Sequence, residues 1–182
     1  MNRRSSALLV SSVFLLASGA GCTRGSKEPN APHSIQLTST DFSAGIIGKA
    51  ITCDGGGKSP ELSWTAAPPG TQTFALVVTD RDSPFGYNFV HWVVYDIPAS
   101  THALPAATDN SVPNGARQGL NDDGKTGYVP PCPPGHSFHR YDFVLYAVDR
   151  QTQLSAASKK DLLAAIRGHV LAIGETIGRY RR

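Results

Sequence analysis

The chain has 182 residues, of which 40% are hydrophobic, so it is long enough to form one domain around its own core. Its formal net charge is +3 at pH 7, and it falls to +1 without the two arginines near the N-terminus, since 15 Lys and Arg then stand against 14 Asp and Glu. This balance, with basic residues clustered only at 179–182, excludes the long basic stripe of a nucleic-acid-binding protein.

Residues 1–21 have the parts of an export signal: two arginines, an apolar stretch at 7–17, and small residues before Cys22. The apolar stretch is too short to cross about 30 Å of hydrocarbon as a permanent helix. A cysteine at this place resembles the lipidated residue of bacterial lipoproteins, although Gly19 replaces the usual leucine. We therefore expect a palmitoylated, lipid-anchored protein of the bacterial envelope, on the outer membrane and facing the periplasm if the host has one. Ordinary cleaved secretion is the alternative.

Residues 22–34 are expected to be the lipidated cysteine and a flexible tether, because they are polar and contain proline, glycine and serine. The domain is then expected over residues 35–182.

Strand patterns dominate this domain. Residues 35–39 alternate between apolar and polar, residues 74–78 are apolar throughout, as in a strand buried on both faces, and further strands are expected at 89–96, 141–148 and 169–180. One helix is expected at 162–167, since the motif from Ser158 to Asp161 before it resembles a capping box and Gly168 follows it. Gly174 and Gly178 should interrupt the last strand. The pattern predicts an all-β sandwich with two antiparallel sheets, one C-terminal helix and a final strand.

Two cysteines remain in the exported part, Cys53 and Cys132. Export favours oxidation, and an even number of thiols favours a bridge. We expect this disulfide, with two separate thiols as the alternative.

Polar side chains gather at the predicted strand ends. Asp80 and Asp82 follow one strand, His91 begins the next, and His139 and Tyr141 follow a proline-rich loop. Side chains from separate strands meet at such ends, so the sequence predicts a pocket there. On strict alternation His91 shares its strand face with Phe89, Val93 and Tyr95.

The order of these motifs resembles the phosphatidylethanolamine-binding protein family, in its bacterial Raf-kinase-inhibitor-like branch. The pattern D-x-D-x-P at 80–84 is followed by His91-Trp92, and the Gly/Pro-rich loop ends in His139-Arg140-Tyr141. Further similar motifs stand at 53–56, 59–64 and 95–98, so that the resemblance covers about residues 35–180.

The resemblance implies a Greek-key sandwich with a ligand pocket at one end. Its ligand-binding residues would be Asp80, Asp82, His91, Pro131, His139 and Tyr141. Arg140 is expected to be structural or exposed, and Ser83-Pro84 is a candidate cis peptide. A hydrogen bond from Asp80 to His91 would raise the pKa of the imidazole and favour an anionic ligand.

The function expected is therefore non-enzymatic binding of a small anion, either phosphate or a phospholipid head group, with no cofactor, no metal and no nucleic acid. The protein partner, if there is one, is undefined. Val129 and Pro130 stand where the family usually has glycine, which favours an alternative: a protein-interaction or inhibitory lipoprotein with a vestigial pocket. A metal-dependent or acid–base hydrolase that uses the Asp and His cluster is the other alternative.

Two local motifs do not predict function. Residues 119–126 fit the phosphate-loop pattern, but the prolines that follow prevent the helix that such a loop must begin. His136 and His139 are spaced as zinc ligands can be, but without the accompanying glutamate of a helical zinc site.

Overall fold

The computed structural model describes residues 28–107 and 111–182. Along these residues, the elements in chain order are β1 (Leu37–Thr38), β2 (Phe42–Ser43), β3 (Ile46–Ile47), a 3-10 helix (Lys49–Ile51), β4 (Leu62–Trp64), β5 (Thr73–Asp80), β6 (Phe89–Pro98), β7 (Ala103–Leu104), β8 (Arg117–Gln118), β9 (His139–Val148), α1 (Lys159–Ala165) and β10 (Val170–Tyr180). The long strands and the helix are present where the sequence predicts them, with shifted ends, and the predicted strand at 35–39 shortens to β1.

The strands form two sheets, as expected. β1, β4 and β7 make a small sheet, and the large sheet has the order β2-β3-β10-β9-β5-β6-β8. Neighbouring strands are antiparallel except β3 and β10, which pair in parallel at Arg179 and Ile46. The sheets are thus antiparallel, as expected, apart from this one short pair.

The large sheet is buried on both faces. One face packs against the small sheet through a core cluster that includes Leu62, Leu76, Val94, Phe143 and Leu145. The other face packs against α1 through a second cluster, which includes Val77, Val93, Tyr146, Leu162 and Leu163. Because both faces are covered, every residue of β5 is buried, in agreement with its continuous apolar sequence.

The helix begins at a capping box. The Ser158 hydroxyl accepts from the Asp161 amide at 3.2 Å, and the Asp161 carboxylate accepts from the Ser158 amide at 3.2 Å. These two bonds satisfy amide groups that the first helical turn leaves free.

The last strand runs through Gly174 and Gly178 without the expected interruption. A β-carbon at Gly174 would lie 3.0 Å from Ile35, and one at Gly178 would lie 2.5 Å from Ile47. Glycine at these positions therefore allows the N-terminal residues and β3 to pack closely against β10.

Residues 28–34, which we expected to be part of a tether, lie against the domain. The Tyr146 hydroxyl donates to Glu28 at 2.9 Å, and the Ile173 amide donates to the Pro32 carbonyl at 2.9 Å. The expected signal (1–21), Cys22 and the rest of the expected tether (23–27) lie outside the described residues. Within the described ranges, no helix is both long and apolar enough to cross a membrane.

Candidate functional site

A cavity of about 400 Å³ opens where β5 ends and where β6 and β9 begin. Asp80 is opposite Phe89 on β6 and opposite Tyr141 on β9, so the register brings these three strand ends together. The cavity is lined by Asp80, Ser83, Pro84, Phe85, Phe89, His91, Asp123, Val129, Pro130, Cys132, Pro133, Pro134 and Tyr141. Three of the six predicted ligand-binding residues thus line it: Asp80, His91 and Tyr141.

Asp80 holds His139, and both side chains are buried. The Nδ1 atom of His139 lies 2.7 Å from one carboxylate oxygen of Asp80, and the other oxygen accepts from the Asp82 amide at 2.8 Å. The hypothesis of an Asp80–His91 hydrogen bond is therefore wrong. His139 does not line the cavity, and its bond to Asp80 fixes the orientation of the carboxylate.

His91 is bonded to the loop across the cavity. Its Nδ1 atom lies 2.7 Å from the carbonyl oxygen of Val129, and since a carbonyl only accepts, Nδ1 carries a proton. The ring also packs edge-on against Phe89 and Tyr141, with centroid distances of 4.9 and 5.2 Å. Burial lowers the pKa of His91, against the smaller opposing effects of the Val129 hydrogen bond and the Asp80 charge. The expectation of a raised pKa is wrong, because desolvation outweighs the charge of the carboxylate.

A β-bulge gives His91 this orientation. Val78 pairs with Trp92 and Thr79 pairs with Val90, so His91 has no pairing partner on β5. Val93 and Tyr95 lie in the cluster beside the helix, whereas His91 contacts Tyr141 of the cluster between the sheets. The expectation that His91 shares a face with Val93 and Tyr95 is wrong, because a bulge turns a side chain away from strict alternation.

Tyr141 supplies a buried hydroxyl. The residue is fully buried, and among the described residues its hydroxyl oxygen has no hydrogen-bond partner. Burial, and then the charge of Asp80, raise the pKa of Tyr141 well above its ordinary value. The hydroxyl therefore stays protonated at physiological pH.

Asp82 points away from the cavity and binds Arg140. The guanidinium donates to the two carboxylate oxygens at 2.8 and 2.6 Å, and the Arg140 amide adds a third bond at 2.9 Å. These hydrogen bonds lower the pKa of Asp82 to about 2. Asp82 does not line the cavity, in contrast to the prediction. Arg140 is exposed, in agreement with the prediction. The pair fixes the turn after β5 to the start of β9.

The proline-rich loop forms one wall. Val129 and Pro130 line the cavity, but Pro131 is buried outside the lining and its carbonyl accepts from the Cys53 amide at 3.1 Å. Cys53 and Cys132 form the expected disulfide, with Cα atoms 5.4 Å apart. The loop that includes Cys132 is thereby tied to the segment that follows the 3-10 helix.

Sequence reasoning missed three lining residues: Phe85, Phe89 and Asp123. Phe85 stacks on Tyr87 and approaches Phe89, with centroids 6.0 Å apart in both pairs. The sequence feature that could have indicated Phe85 as a lining residue was its position directly after Pro84, in the turn that follows the predicted strand. Ser83-Pro84 itself is trans, since no cis peptide occurs within the described ranges.

The two motifs set aside in the sequence do not form sites of the kinds they suggest. Residues 119–126 make a turn, in which the Asn121 side chain accepts from the amides of Asp123 and Lys125 at 3.0 and 3.1 Å. His136 is exposed, and its ring contacts the Arg182 carbonyl at 3.4 Å rather than His139. Across the described residues, no group of three or more His, Cys, Asp or Glu side chains is placed to hold a metal ion.

A second cavity of about 400 Å³ lies on the opposite face of the large sheet, beside Glu28 and the start of α1. Its charged side chains pair with one another: Arg81 binds Asp142 at 2.6 Å, and Lys159 binds Glu28 at 2.8 Å. None of the six predicted ligand-binding residues lines it. We therefore take the cavity at His91 as the candidate site.

Comparisons with known proteins find a family match and similar folds. The family described as "Phosphatidylethanolamine-binding protein" matches residues 38–181. A "UPF0098 protein" of Aquifex aeolicus is 43% identical over 143 residues, which covers 75% of this chain and 81% of that protein.

Two solved structures have similar folds. One is a putative phosphatidylethanolamine-binding protein homolog from Chlamydia trachomatis, 37% identical with a TM-score of 0.74, covering 81% of this chain and 97% of the other. The second is YbcL of Escherichia coli, described as a new member of the mammalian family, 32% identical with a TM-score of 0.74, covering 81% of this chain and 98% of that one.

Proposed function

The chain belongs to the phosphatidylethanolamine-binding protein family, and we propose that it binds one small anionic group, phosphate or a phospholipid head group, in the cavity at His91 without converting it chemically. The observation that carries the proposal is the Tyr141 hydroxyl, which is buried at the cavity and lacks a partner among the described residues. A buried donor without an acceptor is costly, by about 1–3 kcal/mol, and a ligand oxygen would relieve this cost.

His91 would take part through its second ring nitrogen. Nδ1 is already used by Val129, and in the neutral ring Nε2 is an acceptor. An anion oxygen therefore needs a proton between itself and Nε2, either on the imidazole or on the phosphate. Since burial lowers the pKa of the free imidazole, binding takes up protons, by as much as about one per anion where the free anion is fully in its dianionic form. The affinity should consequently rise as the pH falls.

The loop wall favours weak binding, and it supports a second candidate function. The Val129 amide already donates to the His91 carbonyl at 2.9 Å, and four prolines of the loop (130, 131, 133 and 134) have no amide hydrogen. Asp80 and Asp123 also add negative charge to the lining. If these features abolish anion binding, the chain is better described as a protein-interaction lipoprotein with a vestigial pocket.

Calorimetry separates the two functions. We expect phosphate and phosphoethanolamine to bind the full chain saturably, with uptake of up to about one proton per anion, measured in buffers of different ionisation enthalpy. Tyr141→Phe should weaken binding about tenfold, as expected for a hydrogen bond to a charged group.

Tyr146→Phe is the matched control, since this tyrosine is on the same strand but bonds Glu28 on the opposite face of the sheet. It should bind phosphate as the unchanged chain does. The absence of saturable heat with either ligand would contradict anion binding and favour the interaction module.

We also propose that the chain is anchored in the bacterial envelope through Cys22, on the basis of residues 1–22 of the sequence. Because Glu28 is bound to Tyr146 and Lys159, the link to the domain would be residues 23–27. Such a link reaches at most about 20 Å at roughly 3.3–3.6 Å per residue, which would keep the domain close to the bilayer. Incorporation of labelled palmitate, lost in Cys22→Ser, tests the anchor; release of the unchanged chain into the medium would contradict it.

A further inference from the structure

Three exposed aromatic side chains lie at the cavity end of the large sheet: Phe85, Tyr87 and Phe138, which we call the aromatic tip. Asp80 pairs with Phe89 and with Tyr141, so the loop 81–88 is at this end. His139 pairs with Tyr180, which places Phe138 and the last two residues at the same end.

The rings of the aromatic tip are unusually exposed for their size. The exposed fractions are 64% for Phe85, 55% for Tyr87 and 43% for Phe138. Phe85 and Tyr87 stack on each other, with centroids 6.0 Å apart, so the loop presents them together. Clustered apolar surface of this kind marks an interaction site more often than a solvated face.

Two arginines lie beside Phe138 in the aromatic tip. The guanidinium groups of Arg179 and Arg181 lie 5.9 and 4.6 Å from the centroid of Phe138. In the described part of the chain, neither arginine forms an ion pair, whereas the nearby Arg140 and Arg182 are bound to Asp82 and Asp54. The charge beside Phe138 is therefore positive, whereas Asp80 and Asp123 add negative charge at the cavity.

We propose that the aromatic tip docks on a bilayer that contains anionic phospholipid. Aromatic rings favour the head-group level of a membrane, and each arginine near an anionic surface strengthens binding. Exposed aromatic rings with arginines beside Phe138 fit a membrane surface, which is anionic at the head groups and apolar below them. The cavity opens at the same end, so docking would bring it to the head groups. The inference does not rest on anion binding in the cavity.

The test uses the full chain with Cys22→Ser, so that no acyl chain is attached, and compares two added tryptophans. Phe85→Trp places the probe on the aromatic tip. Gln151→Trp places it on an exposed position beyond Val148, at the opposite end of β9. The native Trp64 and Trp92 are buried and give the same background in both variants.

With vesicles of phosphatidylglycerol and phosphatidylethanolamine, the emission of Phe85→Trp should shift to the blue and be quenched by brominated lipid, and that of Gln151→Trp should not change. Arg181→Ala should weaken vesicle binding about fivefold, whereas Arg167→Ala, beside the helix at the other end, should not. Arg181→Ala should keep the phosphate affinity of the unchanged chain, because Arg181 does not line the cavity, and this separates the proposal from the cavity.

Three outcomes would overturn the proposal. The first is an unchanged emission of Phe85→Trp with anionic vesicles. The second is an equal shift at both probes, since the N-terminal residues would then explain the binding. The third is a shift with an acidic peptide but not with vesicles, which would assign the aromatic tip to a protein partner.

Discussion

Replacing both bridged cysteines by serine should destabilise the domain and loosen the cavity wall. The bridge closes a segment with a sequence separation of 79. The chain-entropy relation gives a loss of about 15 cal/mol/K for the unfolded chain, or about 4.5 kcal/mol at 25 °C. This is a large fraction of a typical domain stability of about 5–15 kcal/mol.

Two contacts that do not need the bridge hold the same segments together. The Cys53 amide donates to the Pro131 carbonyl at 3.1 Å, and the Tyr128 hydroxyl donates to the Ile51 carbonyl at 3.0 Å. They limit how far the loop can move in the folded state. Since such disulfides often deliver less than the entropy relation predicts, we expect a loss of about 2–4.5 kcal/mol.

Urea unfolding of the double variant, followed by circular dichroism, gives the change in free energy of unfolding. Reductant should lower the stability of the unchanged chain by the same amount and leave the double variant unaffected. Phosphate binding should also weaken, because Cys132 is in the cavity wall. A loss below about 0.5 kcal/mol, together with unchanged phosphate affinity, would refute this reasoning.

Three further predictions concern single side chains. Arg140→Ala should lower stability only slightly at pH 7, since the pair with Asp82 is largely solvent-exposed. Because Arg140 depresses the pKa of Asp82 to about 2, this difference should be present above pH 4 and disappear as the pH falls to 2; an unchanged difference at pH 2 in urea unfolding would contradict it. Tyr128→Phe should lower stability by about 1–2 kcal/mol, because it leaves the carbonyl of buried Ile51 without this donor; a thermal melt that does not change would count against it. Ser158→Ala should lower stability by about 1 kcal/mol through loss of the helix cap, and equal urea midpoints would disprove that role.

The sequence was informative where one physical requirement decides the pattern. The continuous apolar run of β5 predicted burial on both faces, and both faces are covered. The capping box at Ser158 is a local interaction, and it formed as predicted. Cys53 and Cys132 were predicted to pair, and they do. Each of these features depends on composition or on near neighbours.

The partners of the polar side chains could not be predicted in the same way. The bulge at His91 changes which strand face this side chain joins, and no residue pattern marks it. Asp80 consequently bonds His139 instead of His91, and Asp82 turns outward to Arg140. These pairings depend on the strand register across the sheet, and the alternation of residues along a single strand does not reveal that register.

The packing of residues 28–34 escaped prediction for a related reason. Their polar composition is typical of a linker. Gly174, however, gives Ile35 room to lie against β10, and the residues before Ile35 therefore also lie against the domain. A close approach between distant segments is visible only in three dimensions.

Nuclear magnetic resonance of the histidine rings tests the central claim most directly. The ring nitrogen shifts of His91 would be followed against pH with and without saturating phosphate. We expect phosphate to change the Nε2 shift of His91 and its dependence on pH, because binding places a proton between Nε2 and the anion, and we expect Tyr141→Phe to reduce this effect. A His91 titration that is the same with and without phosphate would contradict it.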